Sequence, residues 1–193
     1  MLDSLPEGCV QWGKQLLRIS DDKTLYFSDG MKEKFDLVVG AEGAWSKVRE
    51  LLTPSTPYYT GIHGYSLSIP SADTTAPSVS ALVNHGSVFA FGDGKSIVAQ
   101  QMGDGSVDVS VWMVSATEPE REEESVTQEG ILERFADWDE VLKDIVRKTS
   151  GEVTRRSLFM LEVGLKWEGR SGVTLVGDAA HLMTPFGGES FFA

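Results

Sequence analysis

The sequence predicts an α/β protein, α+β overall, in which a domain of strand–turn–helix type is split by an inserted antiparallel sheet. Two segments, 36–49 and 172–188, each run from an apolar β-rich stretch through glycine into small or helix-spaced residues. That is the phrase from which α/β sheets are built. Between them, from Gly61 to Ala116, the chain turns into short β-rich runs separated by Asp93-Gly94 and Asp104-Gly105, the dipeptides of tight hairpins.

Each element follows in order. From Val10 to Phe27 apolar and polar residues alternate loosely, with Asp21-Asp22 and then Asp29-Gly30 as punctuation, which predicts a small antiparallel meander. Phe35 to Val39 is an apolar, β-branched strand ending at Gly40, and Val48, Leu51 and Leu52 give 46–52 helical spacing before Pro54. In the insert, strands are expected at Tyr65–Ile69, Val79–Val83, Ser87–Phe91, Ser96–Ala99 and Val107–Val114. Residues 118–124 hold five Glu and one Arg and read as a solvated acidic loop. Ser125-Val-Thr-Gln128 resembles a capping box. Beyond it Ile131, Phe135, Trp138, Leu142 and Ile145 recur at spacings of 4, 3, 4 and 3, giving one long helix or two short ones broken near 137–139. Ser157–Leu161 and Val173–Val176 are the last strands, the second running directly into Gly177-Asp178.

Composition bounds the partners. The 193 residues include 41% hydrophobic side chains and 20 glycines, which fits one domain or two small ones with a real core and excludes disorder, collagen and coiled coil. Seventeen Lys and Arg against 29 Asp and Glu give a net charge of −12, with no basic run longer than Arg155-Arg156. Nucleic acid and anionic membrane surfaces are therefore poor partners. Cys9 is the lone cysteine; it makes no internal disulfide and no metal set, and it fits a reducing, cytoplasmic setting. The start of the chain lacks the pattern of a secretory signal. The long charge-free stretches are broken by Pro54, Pro57, Pro70 and Pro77, so no bilayer span is expected.

Several motifs are dismissed on spacing. Gly94-Lys95-Ser96 ends like a phosphate loop, but Phe89 stands where its first glycine is required. Asp178 and His181 on one tight turn cannot complete a hydrolase triad, and no Gly-x-Ser-x-Gly is present. What stands above background is the pair Asp36-Leu-Val-Val-Gly-Ala-Glu-Gly-Ala-Trp-Ser-Lys-Val-Arg49 and Gly172-Val-Thr-Leu-Val-Gly-Asp-Ala-Ala-His-Leu-Met-Thr-Pro-Phe-Gly-Gly188. Each puts a carboxylate and small residues at the carboxyl end of a strand, where α/β folds bind ligands. Asp178 is placed to accept hydrogen bonds from a sugar diol, and Ala179 and Ala180 permit close approach. Either segment alone is equally well a strand-to-helix turn with a capping carboxylate.

Together the two segments resemble the class A FAD-dependent monooxygenases, the aromatic-ring hydroxylases. The run from Gly177 to Phe186 is most similar to their tetracycline-inactivating branch and its fungal relatives. The resemblance implies a partial FAD-binding, Rossmann-like domain (1–56 and 157–193) interrupted by an antiparallel β-sheet substrate domain (57–156). It implies that Gly177, Asp178, Ala179, Ala180, His181, Pro185, Gly187 and Gly188 line FAD, with Asp178 on its ribityl or ribose hydroxyls. Glu42, Gly43 and Arg49 would belong to a motif serving FAD and NAD(P)H, with Glu42 in place of the family's Asp. The implied reaction is NAD(P)H-dependent hydroxylation of a small aromatic or polyketide-like substrate by O₂ through a flavin hydroperoxide. It names no catalytic side chain and no metal. Two other readings remain open: a flavin oxidoreductase without oxygen transfer, and a non-catalytic remnant. The family's opening Gly-x-Gly-x-x-Gly unit has no counterpart here, and Ser190 and Phe192 stand where it has Gly and Asn, so a fragment of a longer enzyme is expected.

Overall fold

The structure, a computed structural model, describes residues 2–119 and 126–187. They divide into two compact units, one built from the described residues up to Tyr58 and from Phe159 onward, the other from those between Tyr59 and Leu158.

In the first unit the expected meander is β1 (Leu16–Ile19), β2 (Thr24–Phe27) and β3 (Lys32–Lys34), paired antiparallel in that order. The Asp29-Gly30 turn works as its sequence suggests: Gly30 takes φ +84° and the Asp29 carboxylate accepts the Met31 N–H at 3.0 Å. β4 (Val38–Gly40) then lies parallel to the distant β10 (Val173–Leu175), Val38 opposite Val173 and Gly40 opposite Leu175. Val38, Val48, Val173, Leu175 and Ala179 form this unit's core. The helix expected over 46–52 is only a 3₁₀ turn, Arg49–Leu51. The Ser46 hydroxyl accepts the Arg49 N–H at 3.0 Å. That bond starts the turn as a helix cap does, and Pro54, which restricts the residue before it, ends it after one turn.

The second unit is a sheet with helices on one face. In chain order it runs β5 (Tyr58–Ile69), α1 (Ala72–Thr75), α2 (Pro77–Val83), β6 (Ser87–Gly92), β7 (Lys95–Gln101), β8 (Val107–Val114), α3 (Gln128–Arg134), α4 (Glu140–Arg147) and β9 (Ser150–Met160). The spatial order is β6-β7-β8-β5-β9. Residues 79–83 are a correction: they are helical, not a strand. Pro77 starts the helix where a missing N–H costs nothing, Val79 and Val83 bury one face at i and i+4, and Asn84 closes it at φ +48°. Spacing overrode the β preference of valine. The break near 137–139 is real: Asp139 accepts the Val141 N–H at 2.8 Å and starts α4 as a second helix. Helix α3 is capped by Thr127, whose hydroxyl accepts the Gly130 N–H. Ser125 and most of the acidic run lie outside the described residues.

Alternation along the strands separates two faces. Tyr65, Leu67, Ile69, Ile97, Ala99, Val107, Val109 and Val111 pack with Val79, Val83, Ile131, Phe135, Ile145 and Val146 in the unit's core. The opposite face carries Ser66, Ser68, Asp108, Ser110 and Trp112. The ends of this unit meet, the Thr60 hydroxyl donating to the Leu158 carbonyl at 3.0 Å. Among the described residues no helix is long and apolar enough to cross a membrane.

Gly64 is the tightest point of the sheet. A Cβ there would collide with the Val111 carbonyl oxygen and stand 2.7 Å from the Trp112 ring. Gly64→Ala is expected to lower stability by about 1–3 kcal/mol, as overpacking against backbone does. Urea denaturation checks this, and an unchanged midpoint would show that β5 and β8 separate freely there.

Candidate functional site

Parallel pairing of β4 and β10 brings the two motif turns to the same end of one small sheet. The Val176 N–H still reaches the Gly40 carbonyl at 2.9 Å, so the strands stay in register up to the turns. Gly40 has no space for a side chain: a Cβ would stand 2.7 Å from both Leu175 Cδ2 and Val48 Cβ. This glycine lets the first turn lie against the second strand.

Gly177 answers a different need. It adopts φ +57° and ψ −144°, a conformation reserved for glycine, yet no atom lies within 4 Å of where its Cβ would be. The backbone there borders open space. Asp178 follows, exposed, at the start of α5 (Asp178–His181). Its carboxylate makes no hydrogen bond or ion pair among the described residues. Ala179 is fully buried and Ala180 half-buried. His181 is half-buried, and its Nδ1 is buried with no hydrogen-bond partner among the described residues. It borders a cavity of about 290 Å³ together with Met160, Leu161, Leu165, Leu182 and Met183. Pro185 and Gly187 bound a 3₁₀ turn, and Gly188 lies outside the described residues.

The first motif is organised around Arg49, only 3% exposed. Its Nη1 donates to the Ala179 carbonyl at 3.1 Å and approaches that of Asp178 at 3.5 Å, while Nη2 donates to the Ala44 carbonyl. One guanidinium thus joins the backbones of both motif turns. Burial pulls its pKa below the ordinary value, with Glu42 and then Glu50 acting the other way. Glu42 is turned into its own loop, where its carboxylate accepts the Val48 N–H at 2.8 Å. The extra methylene relative to Asp spans the gap across 43–47. Gly43, at φ +81°, has no atom within 4 Å of a Cβ position.

The structure therefore gathers Glu42, Gly43, Arg49 and Gly177 to Ala180 around one strand end. Arg49 serves there through backbone carbonyls. Sequence reasoning missed Ser46, 1% exposed, which accepts the Arg49 N–H. It also missed Arg170, which holds Asp21 of the meander through the backbone carbonyl at 2.6 Å and the carboxylate at 2.9 Å. Ser46 acts on a backbone N–H three residues on, and Arg170 on a partner 149 residues away, so side-chain identity in the motif marks neither role.

The donor set suits a polyhydroxylated ligand such as FAD. A free carboxylate can accept two hydroxyl hydrogen bonds, and glycine backbone beside open space lets a bulky group approach. Among the described residues no group of three or more His, Cys, Asp or Glu is placed to hold a metal.

Arg49→Ala is expected to cost about 2–4 kcal/mol, since it leaves buried carbonyls without donors. Arg49→Lys should recover less than half, because an ammonium lacks the planar fork. Hydrogen exchange of the amides at 38–40 and 173–176, together with urea midpoints, checks both, and wild-type protection in Arg49→Ala would show that the turns hold without it.

With this geometry described, the comparisons with known proteins are specific. Residues 25–190 match a family model described as FAD binding domain. Monooxygenase penA of Penicillium thymicola is 26% identical over 98% of this chain and 56% of its own length. Klebsiella pneumoniae HpxO, solved with FAD and uric acid, superposes with a TM-score of 0.77 at 22% identity over 98% of this chain and 48% of its own. Tetracycline destructase Tet(51) superposes with a TM-score of 0.60 at 20% identity over 92% and 47%. The chain spans about half the length of these proteins. The match across residues 25–190, which takes in both motif turns, means that this chain belongs to the FAD binding domain family.

Proposed function

We propose that this chain forms part of an NAD(P)H-dependent monooxygenase that hydroxylates a small organic substrate, aromatic or polyketide-like. Residues 1–56 and 157–193 take the FAD-binding part and 57–156 the substrate part. The observation that carries the reading is the free Asp178 carboxylate beside the open face of Gly177. Asp178 accepts hydrogen bonds from the ribityl or ribose hydroxyls, and the backbone from Gly177 to Ala180 borders the cofactor. His181, Pro185, Gly187 and Gly188 extend that border. Glu42 and Gly43 shape the second side, and Arg49 holds the two sides at a fixed separation. The chemistry FAD supplies when bound is uptake of reducing equivalents from NAD(P)H and activation of O₂ for transfer to the substrate. The protein supplies orientation and exclusion of water. The single exposed Cys9 supports a reducing, cytoplasmic setting.

The test is made on the full-length protein. Asp178→Ala is expected to weaken FAD binding by about tenfold or more, corresponding to roughly 1.5–3 kcal/mol for hydrogen bonds to a charged group, with an unchanged unfolding midpoint because Asp178 is exposed. Unaltered flavin affinity would remove Asp178 from the site. Oxygen uptake equal to hydroxylated product and to NAD(P)H consumed is expected. NAD(P)H oxidation without an oxygenated product would instead identify a flavin oxidoreductase.

A further inference from the structure

One edge of the second unit's sheet is β6, which pairs with β7 alone. The Gln101 N–H donates to the Gly86 carbonyl at 3.0 Å, and these two residues continue the register in which Ser87 stands opposite Gln100 and Gly92 opposite Lys95. Hydrogen bonding alternates along an antiparallel pair, so Val88, Ala90 and Gly92 turn their backbone groups toward β7. The N–H and C=O groups of Ser87, Phe89 and Phe91 point the other way, out of the sheet edge. Among the described residues nothing pairs with them.

Free edges are normally blunted by lysine, proline or a bulge, or covered by other chain. Ser87-Val-Phe-Ala-Phe-Gly92 has no charge and no proline, and its register with β7 runs without a shift. Phe89 and Phe91 are 63% and 71% exposed and stack with ring centroids 6.3 Å apart. An open ladder and uncovered aromatic rings thus occur on the same three alternate residues.

We propose that β6 pairs antiparallel with β6 of a second copy of this chain, about a two-fold axis at Phe89. In that register Phe89 lies opposite Phe89 of the partner subunit, and Ser87 opposite Phe91 of the partner subunit. Each such pair exchanges both of its N–H···O bonds, so every outward backbone group is matched. Opposed side chains emerge on one face, and the four phenyl rings form a single row. Beyond the strand ends the same register sets the exposed His85 against the exposed Asp93 of the partner subunit, a complementary pair at each end. A shift of two residues either way removes it. The four rings carry on the order of 500 Å² of exposed apolar surface, less than a permanent interface uses. The dimer is therefore weak and reversible. It rests on the second unit alone and holds whether or not the first binds FAD.

The test is sedimentation equilibrium and amide hydrogen exchange of the full chain over concentrations from about 5 to 500 µM. A monomer–dimer equilibrium is expected that tightens as sodium chloride is added, because salt screens the repulsion between two chains of net charge −12. The Phe89 and Phe91 amides should gain protection as concentration rises, while those of Val88 and Ala90 are protected throughout. Phe89→Lys, which sets like charges opposite each other at the axis, is expected to weaken the dimer about tenfold or more. Ser87→Pro, which removes an outward N–H from each copy and keeps both rings, should weaken it about fivefold or more. Unchanged protection at Val88 and Ala90 shows that the β6–β7 ladder survives in each variant. A monomer at every concentration, a dimer indifferent to both substitutions, or a dimer whose outward amides gain no protection would overturn the proposal.

Discussion

The first unit depends on one buried guanidinium. A charge at 3% exposure is tolerated only when its donors are matched, and Arg49 matches them with backbone carbonyls of two turns that lie far apart in sequence. Those turns contain Gly43 and Gly177 at positive φ and so offer little side-chain packing of their own. Arg49 supplies hydrogen bonds in place of packing, and Glu42 and Glu50 favour its charged form against the effect of burial. Glu42 complements it by closing the loop that delivers Arg49 to its place. Without the guanidinium the segments that follow β4 and β10 lose the side-chain hydrogen bonds that join them.

The second unit is stabilised differently. Its core is a run of β-branched and aliphatic residues on alternate strand positions, covered by α2, α3 and α4. Burial of that face is the main source of its cohesion, with polar ties at its margin such as Arg134 donating to the Tyr65 hydroxyl at 2.8 Å. The opposite face is divided. The edge strand β6 presents Phe89 and Phe91, stacked with centroids 6.3 Å apart and both largely exposed. The β5–β8–β9 side is hydroxyl-rich and charged. A single sheet thereby offers aromatic and hydrophilic surfaces side by side.

Local grammar was legible in the sequence. The Asp-Gly dipeptides marked real turns, β4 and β10 were visible as apolar runs ending in glycine, and of the one long or two short helices that the spacing allowed, the Asp139 cap selects two. Errors arose where a local pattern had two solutions. Val79 to Val83 is β-rich in composition, but Pro77 and the four-residue spacing of its buried valines make it helical. Residues 46–52 have helical spacing, but Pro54 follows closely and only a 3₁₀ turn forms. At the site, the motif residues and their strand-end position could be read directly. The part played by Arg49 could not, since its partners are main-chain atoms and carry no signature in side-chain identity.

The meeting of Thr60 with Leu158 has an evolutionary consequence. A segment whose entry and exit are neighbours can be lengthened, shortened or exchanged without changing the gap that the host must bridge. Selection can therefore rework the insert, including its aromatic edge, while the strand pair and its arginine clasp remain as they are. Diversity of recognition and constancy of the nucleotide-like site become separable traits. A graft of the equivalent segment from another member of the family enters and leaves through two adjacent junctions, at 59 and 158.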